Sequence, residues 1–112
     1  MHKFKVIRKN WEFQKIIDSK KQIVSKNLIF YYQPQGFFEI GISIPKKFAN
    51  SVLRNYFKRQ IKSIIHELII DDFLLPKVKC VLITRKTFLN LSFMQKKEKI
   101  TKLLEELNRN AK

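Results

Sequence analysis

The sequence predicts a single small α/β domain, a two-layer sandwich in which helices pack on a β-sheet. Its length of 112 residues suits one domain. Hydrophobic residues make up 45% of the chain and aromatic residues 12%, which is enough apolar material for a folded core. Helical and strand patterns follow in the order helix, two or three strands, helix, strand, helix, an order typical of helices on a sheet. No segment has the composition of a linker, so we expect one domain over residues 1–112.

The first helix is predicted from Trp11 to about Ser19. Asn10 stands directly before it and is a residue type that caps helix N-termini. Three apolar side chains share one side of this helix: Phe13, Ile16 and Ile17. Either core packing or a binding surface would explain them.

Two strands are predicted before Pro45. The segment NLIFYY, residues 27–32, is rich in β-branched and aromatic side chains, and the strand stops at Pro34. Gln35 and Gly36 supply a turn, and FFEIGISI, residues 37–44, then alternates between two faces. One face of this strand carries Phe38, Ile40, Ile42 and Ile44, and the other carries Phe37, Glu39, Gly41 and Ser43.

The second half of the chain predicts a long helix, a strand and a final helix. The long helix spans about Ser51 to Ile70 with Asn50 as its cap, and KVKCVLIT after Pro76 is predicted as a strand. Ser92 and Gln95 match a capping box at the start of the final helix. The apolar side of that helix follows i, i+3, i+4, i+7 spacing: Ile100, Leu103, Leu104 and Leu107.

The charge balance indicates a polyanionic partner. Lys and Arg number 24 against 9 Asp and Glu, so the formal net charge is +15. Self-repulsion at this level costs stability, and attraction to a polyanion offsets it. Nucleic acid is the leading partner class, with an anionic membrane surface as the weaker alternative.

Composition argues against several other classes. Cys80 is the only cysteine, which excludes an intrachain disulfide and a Cys-rich zinc site and fits a reducing compartment. The charged N-terminus has no apolar run after it, and no window approaches a membrane span. We therefore expect a cytoplasmic protein with no membrane partner. The sequence has no Gly-rich phosphate loop, metal-ligand spacing or convincing Ser/His/Asp set, so we predict no catalytic side chain and no protein metal site.

The long helix has one apolar side and one cationic side. On a helical wheel the apolar sector holds Leu53, Phe57, Ile61, Ile64, Ile65 and Leu68, and the opposite sector holds Arg54, Asn55, Lys58, Arg59 and Lys62. No acidic residue lies between Glu39 and Glu67, and like-charged pairs at i,i+4 cost about a few tenths of a kcal/mol each. A phosphate backbone would remove this repulsion and release counterions. A solvated basic surface in a Lys-rich proteome is the alternative.

The segment GISIPKKFANSVLRNYFKRQIK resembles the signature of the bacterial ribonuclease P protein subunit. In that family a Gly-Ile-Ser strand leads to Lys-Lys and then to a helix with an Arg-Asn-Arg motif followed by Lys-Arg. Arg54, Asn55, Lys58 and Arg59 match this pattern, whereas Tyr56 stands where the third motif residue is usually Arg. The resemblance extends from KNWEFQKII near the start to CVLITRK and the final helix.

The resemblance implies a fold and a ribonucleoprotein function. The implied fold is the α-β sandwich also found in a domain of one small-subunit ribosomal protein, with a left-handed crossover between two parallel strands. The implied activity is removal of the 5′ leader from precursor tRNA, with the active site and its Mg²⁺ held by the RNA subunit. The protein is then expected as one copy beside one RNA.

The resemblance also implies two groups of binding residues. The surface for the catalytic RNA would be Lys46, Lys47, Asn50, Arg54, Asn55, Lys58, Arg59 and Lys62. The cleft for the 5′ leader, between the first helix and the sheet, would be Phe13, Ile17, Lys26, Ile29, Tyr31 and Ser43. Strand parity agrees independently, because Ile29 and Tyr31 share a face and Ser43 lies opposite the apolar row of its strand.

Alternatives remain for both the function and individual residues. A ribosomal or other structural RNA-binding protein fits the charge and size equally well, and a stand-alone nuclease is a more distant alternative that lacks a credible carboxylate cluster. His66 is expected as a surface residue or another RNA contact rather than a catalyst. Cys80 is expected as a small buried residue, and Asp71 and Asp72 as a loop cap rather than a metal site.

Overall fold

A mixed five-stranded sheet forms the centre of the protein in a computed structural model that describes residues 4–19 and 21–110. The elements in chain order are β1 (Lys5–Val6), α1 (Asn10–Asp18), β2 (Gln22–Val24), β3 (Leu28–Pro34), β4 (Glu39–Ser43), α2 (Ser51–Ile70), β5 (Val78–Thr84), α3 (Lys86–Leu89) and α4 (Phe93–Asn110). The strands lie in the order β1-β4-β5-β3-β2. β1, β4 and β5 run parallel, whereas β3 is antiparallel to both β5 and β2.

One face of the sheet carries the main core. The even-numbered residues of β3, β4 and β5 point to this face, where α2, α3 and α4 pack against them. The helices contribute the predicted apolar sides: Ile61, Ile64, Ile65 and Leu68 of α2, and Ile100, Leu103, Leu104 and Leu107 of α4. The predicted two-layer sandwich is confirmed, and its core follows from the period-2 and period-3.6 patterns of the sequence.

The other face of the sheet is covered by α1 alone among the described helices. Ile16 of α1 is buried with Ile7 and Val81, and Phe13 packs at the edge of this small cluster. The aromatic ring of Phe13 lies on Gly41 of β4, where a methyl group would meet ring carbon Cζ at 2.8 Å. Gly41 thus lets α1 approach the sheet closely.

Both long helices begin as predicted. The Asn50 side chain accepts a hydrogen bond of 2.9 Å from the Leu53 amide and caps α2. At α4, Ser92 Oγ accepts from the Gln95 amide at 3.2 Å, and Gln95 Oε1 accepts from the Ser92 amide at 3.1 Å, which is the reciprocal pattern of a capping box.

The prediction of Asn10 as a cap is wrong. Helix α1 begins at Asn10, and Lys9 is its N-cap, with no side-chain hydrogen bond. The Lys9 carbonyl accepts from the amides of Glu12 and Phe13 at 3.1 and 3.2 Å. The reason is tertiary, because the amide of Ile7 is bonded to the Ile40 carbonyl at 2.8 Å and the chain turns into the helix directly after that contact.

Three short elements have no counterpart among the individually predicted segments: β1, β2 and α3. β1 and β2 have two and three residues, and each is held by pairing with a longer strand rather than by its own pattern. The parallel strands β4 and β5 are joined through α2, so the crossover that the family resemblance implies is the β4–α2–β5 connection. Its left hand stays a prediction.

Candidate nucleic-acid interface

A basic turn leads into the capped start of α2. Pro45 ends the extended segment, and its carbonyl accepts from the Phe48 amide at 3.1 Å, which forms a turn that carries Lys46 and Lys47. Both lysines are exposed, and the Lys47 ammonium lies 5.3 Å from the centre of the Phe48 ring. The turn therefore presents two cations beside the exposed cap residue Asn50.

The polar side of α2 separates into two strips. Arg54, Lys58 and Lys62 are half-buried and lie at successive i,i+4 positions, whereas Asn55 and Arg59 are exposed. The Arg54 guanidinium donates a 3.0 Å hydrogen bond to the Ala49 carbonyl, which fixes its stem against the helix entrance. All eight residues of the predicted catalytic-RNA group thus lie along α2 and the turn before it.

A cleft of about 680 Å³ lies between α1, the end of β4 and α2. Its apolar wall includes Phe13 and Ile17 of α1, and Ser43 lies on the strand side. Its cationic wall is the half-buried strip of α2 together with Lys46. The structure therefore joins residues from both predicted groups in one cleft.

A row of side chains crosses the sheet beside the cleft. In the strand register Ser43 pairs with Ile83, Ile83 pairs with Ile29, and Ile29 pairs with Val24. Paired residues of neighbouring strands point to the same face. This row, which we name the open row, is half-buried at its first three positions and exposed at Val24.

The remaining predicted leader residues lie outside the residues that line the cleft. Tyr31 pairs with Val81 in the row that α1 covers, and its half-buried ring packs beside the Ile7–Ile16–Val81 cluster. Lys26 is exposed in the loop before β3, where its carbonyl accepts from the Thr87 hydroxyl at 3.4 Å. A nucleic-acid strand that ran from the cleft along the open row would approach the part of β3 near Tyr31 and Lys26.

Arg8 is a cleft residue that the sequence did not predict. It follows β1 and lines both the cleft and a neighbouring cavity of about 540 Å³ that also contains Lys62 and His66. Burial lowers the pKa of Lys62, and repulsion from Arg8, Lys58 and Arg59 lowers it further. Arg8 could not have been found from local pattern, because the pairing of β1 with β4 is what brings it to α2.

The cations of α2 have no carboxylate within ion-pairing distance among the described residues. The ion pairs found there join Lys97 of α4 to Glu67 at 2.9 Å and to Asp71 at 3.4 Å, at the far end of α2. The ion pairs of α2 therefore lie at the end of the helix remote from the cleft, and Glu12 and Glu39, which line the neighbouring cavity with Lys62, form no ion pair with it. The charge that faces the cleft is left for an external anion.

The other residues considered in the sequence take structural positions. Cys80 is fully buried, and burial raises the pKa of its thiol. His66 is exposed, with its ring 5.1 Å from that of Phe4, and Asp71 is the C-cap residue of α2. In the described ranges no group of three or more His, Cys, Asp or Glu side chains could hold a metal ion, and no helix there is long and apolar enough to cross a membrane.

Comparison with known proteins identifies one family. The family model named Ribonuclease P matches residues 1–108. The ribonuclease P protein component of Mesomycoplasma hyopneumoniae strain 7448 is 54% identical over 112 residues, which is 100% of both chains. That of Mycoplasmopsis pulmonis is 55% identical over 105 residues, covering 94% of this chain and 93% of the relative.

Solved structures agree in fold. The ribonuclease P protein of Staphylococcus aureus superposes with a TM-score of 0.76 at 22% identity, covering 96% of this chain and 97% of that one. The ribonuclease P protein of Thermotoga maritima gives 0.77 at 23% identity, covering 91% and 96%. Since the family model spans nearly the whole sequence and full-length relatives exceed half identity, the chain belongs to the ribonuclease P protein component family.

Proposed function

We propose that this chain is the protein subunit of ribonuclease P and assists endonucleolytic removal of the 5′ leader from precursor tRNA. The observation that carries the proposal is the cleft, where a cationic strip of α2 faces apolar side chains of α1 and Ser43 of β4. Such a surface can bind a folded RNA through phosphates and a single strand through its bases. Both kinds of RNA meet in a precursor tRNA bound to its ribozyme.

In this proposal the outer side of α2 binds the catalytic RNA. Lys46, Lys47 and Arg59 are exposed and can reach phosphates, while the amides of Asn50 and Asn55 can bond sugar or base edges. Phosphates bound along α2 would also relieve the i,i+4 repulsion among Arg54, Lys58 and Lys62 of the half-buried strip. Binding therefore relieves a cost that the free protein carries.

The leader would lie in the cleft and along the open row. Phe13 and Tyr31 offer aromatic surface and Ile17 and Ile29 offer aliphatic surface, so bases can pack there without a strict sequence requirement. Ser43 adds a hydroxyl that can donate or accept a hydrogen bond. Mature tRNA has no leader, so this contact favours the substrate over the product.

We assign the chemistry to the RNA subunit. Mg²⁺ is proposed as the ion of the holoenzyme and as bound mainly by RNA. The described protein residues contain no cluster of three or more His, Cys, Asp or Glu side chains that could hold a metal ion. The protein's own contribution is to screen repulsion between RNA strands and to hold the leader, which lowers the Mg²⁺ concentration the reaction requires. We further propose one protein per RNA and a cytoplasmic location.

Reconstitution tests the proposed function directly. The full chain is mixed with a bacterial ribonuclease P RNA at low Mg²⁺, and 5′ processing of a precursor tRNA is compared with that by the RNA alone. We expect faster cleavage at the mature 5′ end. No gain in processing, together with preferential recovery of ribosomal RNA from cells, would instead favour a structural RNA-binding protein.

The binding surface is tested by removing two cations. Arg54→Ala together with Arg59→Ala should weaken binding of the ribonuclease P RNA and flatten its dependence on salt by about two phosphate contacts. The matched control removes two exposed cations of α4, Lys102→Ala with Arg109→Ala, and should leave the salt dependence nearer the original. If RNA affinity depends equally steeply on salt concentration in the α2 variant and in the unmodified protein, the RNA-binding surface lies elsewhere.

A further inference from the structure

A third strip of α2, formed by Tyr56 and Gln60, lies beside the cations on the side of the helix that faces α4. Tyr56 stands three residues before Arg59, so the two side chains are neighbours on the helix surface. Tyr56 is 53% exposed, and its ring packs edge-on against the Phe57 ring with the two ring centres 5.5 Å apart. An aromatic hydroxyl is therefore held at the border of the cationic surface.

A buried cation lies behind this tyrosine. Lys96 of α4 is only 2% exposed, and its ammonium lies 4.5 Å from the centre of the Phe57 ring and 5.7 Å from that of Phe88. Burial lowers the pKa of Lys96. A buried ammonium is retained only where hydrogen bonds and aromatic faces compensate its lost hydration.

The compensation runs through Gln60. The Lys96 ammonium donates a 2.6 Å hydrogen bond to Gln60 Oε1, and Gln60 Nε2 donates a 3.2 Å hydrogen bond to the Tyr56 hydroxyl. An ammonium can only donate, so the oxygen of the Gln60 amide must face Lys96 and its nitrogen must face Tyr56. The chain of three residues thus has one direction.

That direction determines what the Tyr56 hydroxyl can do. One lone pair of the hydroxyl oxygen accepts from Gln60, and no described residue accepts the single hydroxyl proton, so that proton can be donated to an acceptor outside the protein. Aligned hydrogen bonds also polarise one another, which strengthens the terminal donor. The exposed hydroxyl is therefore an oriented donor at the edge of an anion-binding surface.

We propose that Tyr56 binds an acceptor oxygen of the RNA backbone, phosphate or ribose, and that Lys96 acts as its positioning residue through Gln60. This inference rests on the proposed function, because it takes the outer side of α2 as the surface for the catalytic RNA. It adds a hydroxyl donor to a surface whose other proposed contacts come from cations and from the amides of Asn50 and Asn55. Lys96 contributes without touching RNA, because it is buried between α2 and α4.

The test is a double-mutant cycle on affinity for the ribonuclease P RNA. Tyr56→Phe removes only the hydroxyl and should weaken binding about five- to tenfold, the effect of losing one ordinary hydrogen bond. The salt dependence should not change, because no cation is lost. Arg54→Ala with Arg59→Ala differs on this point and serves as the charged comparison.

Lys96→Met is the second variant of the cycle, and it replaces the lysine by an unbranched side chain that lacks the ammonium group. It should weaken binding by a smaller factor, and the Lys96→Met, Tyr56→Phe double variant should bind about as well as Tyr56→Phe alone. A purely structural role for Lys96 would lower thermal stability and leave the two losses multiplicative. If Lys96→Met does not fold, Gln60→Met interrupts the same chain at its middle residue.

The outcomes separate this inference from the proposed function. The inference of an oriented donor is wrong if Tyr56→Phe binds RNA like the unmodified protein, or if the affinity losses of Tyr56→Phe and Lys96→Met multiply in the double variant. In either case, a loss of affinity in the two-arginine variant still supports the proposed function. If the unmodified protein has no preference for ribonuclease P RNA over ribosomal RNA, the proposed function fails and this inference fails with it.

Discussion

The two faces of the central sheet differ in how completely they are covered. Among the described residues, twenty buried side chains form the core between the sheet and α2, α3 and α4, against three in the cluster under α1. Both faces use the same strands, and consecutive residues of β3 alternate between them. One face therefore supplies most of the buried core, and the other keeps a surface that is only partly covered.

The difference in cover follows from the helices themselves. α2 and α4 have 20 and 18 residues, whereas α1 has nine and crosses only part of its face. The cleft lies along one edge of α1, and the open row runs from Ile83, at the border of the α1 cluster, to the exposed Val24. Neighbouring residues on one strand should therefore respond differently to the same substitution.

The largest expected effect is on stability, from Phe30→Ala. Phe30 is fully buried in the main core, and its truncation should lower the free energy of unfolding by about 3–5 kcal/mol. The matched control is its neighbour on the opposite face, Ile29→Ala, which should cost less because that site is half-buried. Denaturant titration measures both, and equal losses would mean that the faces do not differ as described.

The close approach of α1 is tested at Gly41. Gly41→Ala places a methyl group 2.8 Å from the Phe13 ring and should lower the free energy of unfolding by about 1–3 kcal/mol through overpacking. Phe13→Leu in the same chain should restore part of the loss. Gly36→Ala is the control, because a methyl group there meets nothing within 4 Å, and a comparable loss at Gly36 would contradict the packing explanation.

The binding role of the less covered face is tested at Tyr31. Tyr31→Ala should weaken binding of precursor tRNA more than of mature tRNA, by about 1–3 kcal/mol if one base stacks there. Tyr32→Ala is the control, because its side chain packs on the main core and should affect stability without changing the precursor preference. Equal losses for the two tRNAs would remove Tyr31 from the leader surface.

The smallest expected effect has opposite signs for stability and binding. Lys62→Gln removes a cation that is disfavoured by burial and by repulsion from its neighbours, so it should raise stability by about a few tenths of a kcal/mol while weakening RNA binding. The pKa of Lys62 is lowered in the fold, so the stability cost is fully present below that pKa and is relieved as pH rises toward the unfolded value.

Thermal unfolding against pH, read together with RNA affinity, measures these two effects. The gain in stability from Lys62→Gln should shrink toward alkaline pH. Lys102→Gln, at an exposed position of α4, is the control. A loss of stability in the Lys62 variant at neutral pH would contradict the expectation that burial and repulsion make this cation unfavourable in the fold.

The parts of the fold that could be predicted are those determined by local sequence patterns. The bounds of α2, its Asn50 cap and the capping box of α4 were all predictable, because capping residues and helical spacing act within a few positions. The strand faces were predictable for the same reason, since side-chain direction alternates residue by residue. The start of α1 was not, because a strand contact at Ile7 determines where that helix begins.

Two features can be read from the sequence alone: a cationic side of α2 with no acidic residue between Glu39 and Glu67, and strands whose apolar residues alternate between two faces. The fold is needed to bring Phe13, Ser43 and Arg54 to one cleft, Arg8 close to Lys62, and Lys96 behind Tyr56. These two sets of features differ in the sequence distance over which their interactions act. Helical spacing and strand alternation are local, whereas the pairing of β1 with β4 and the packing of α4 on α2 join residues distant in the chain.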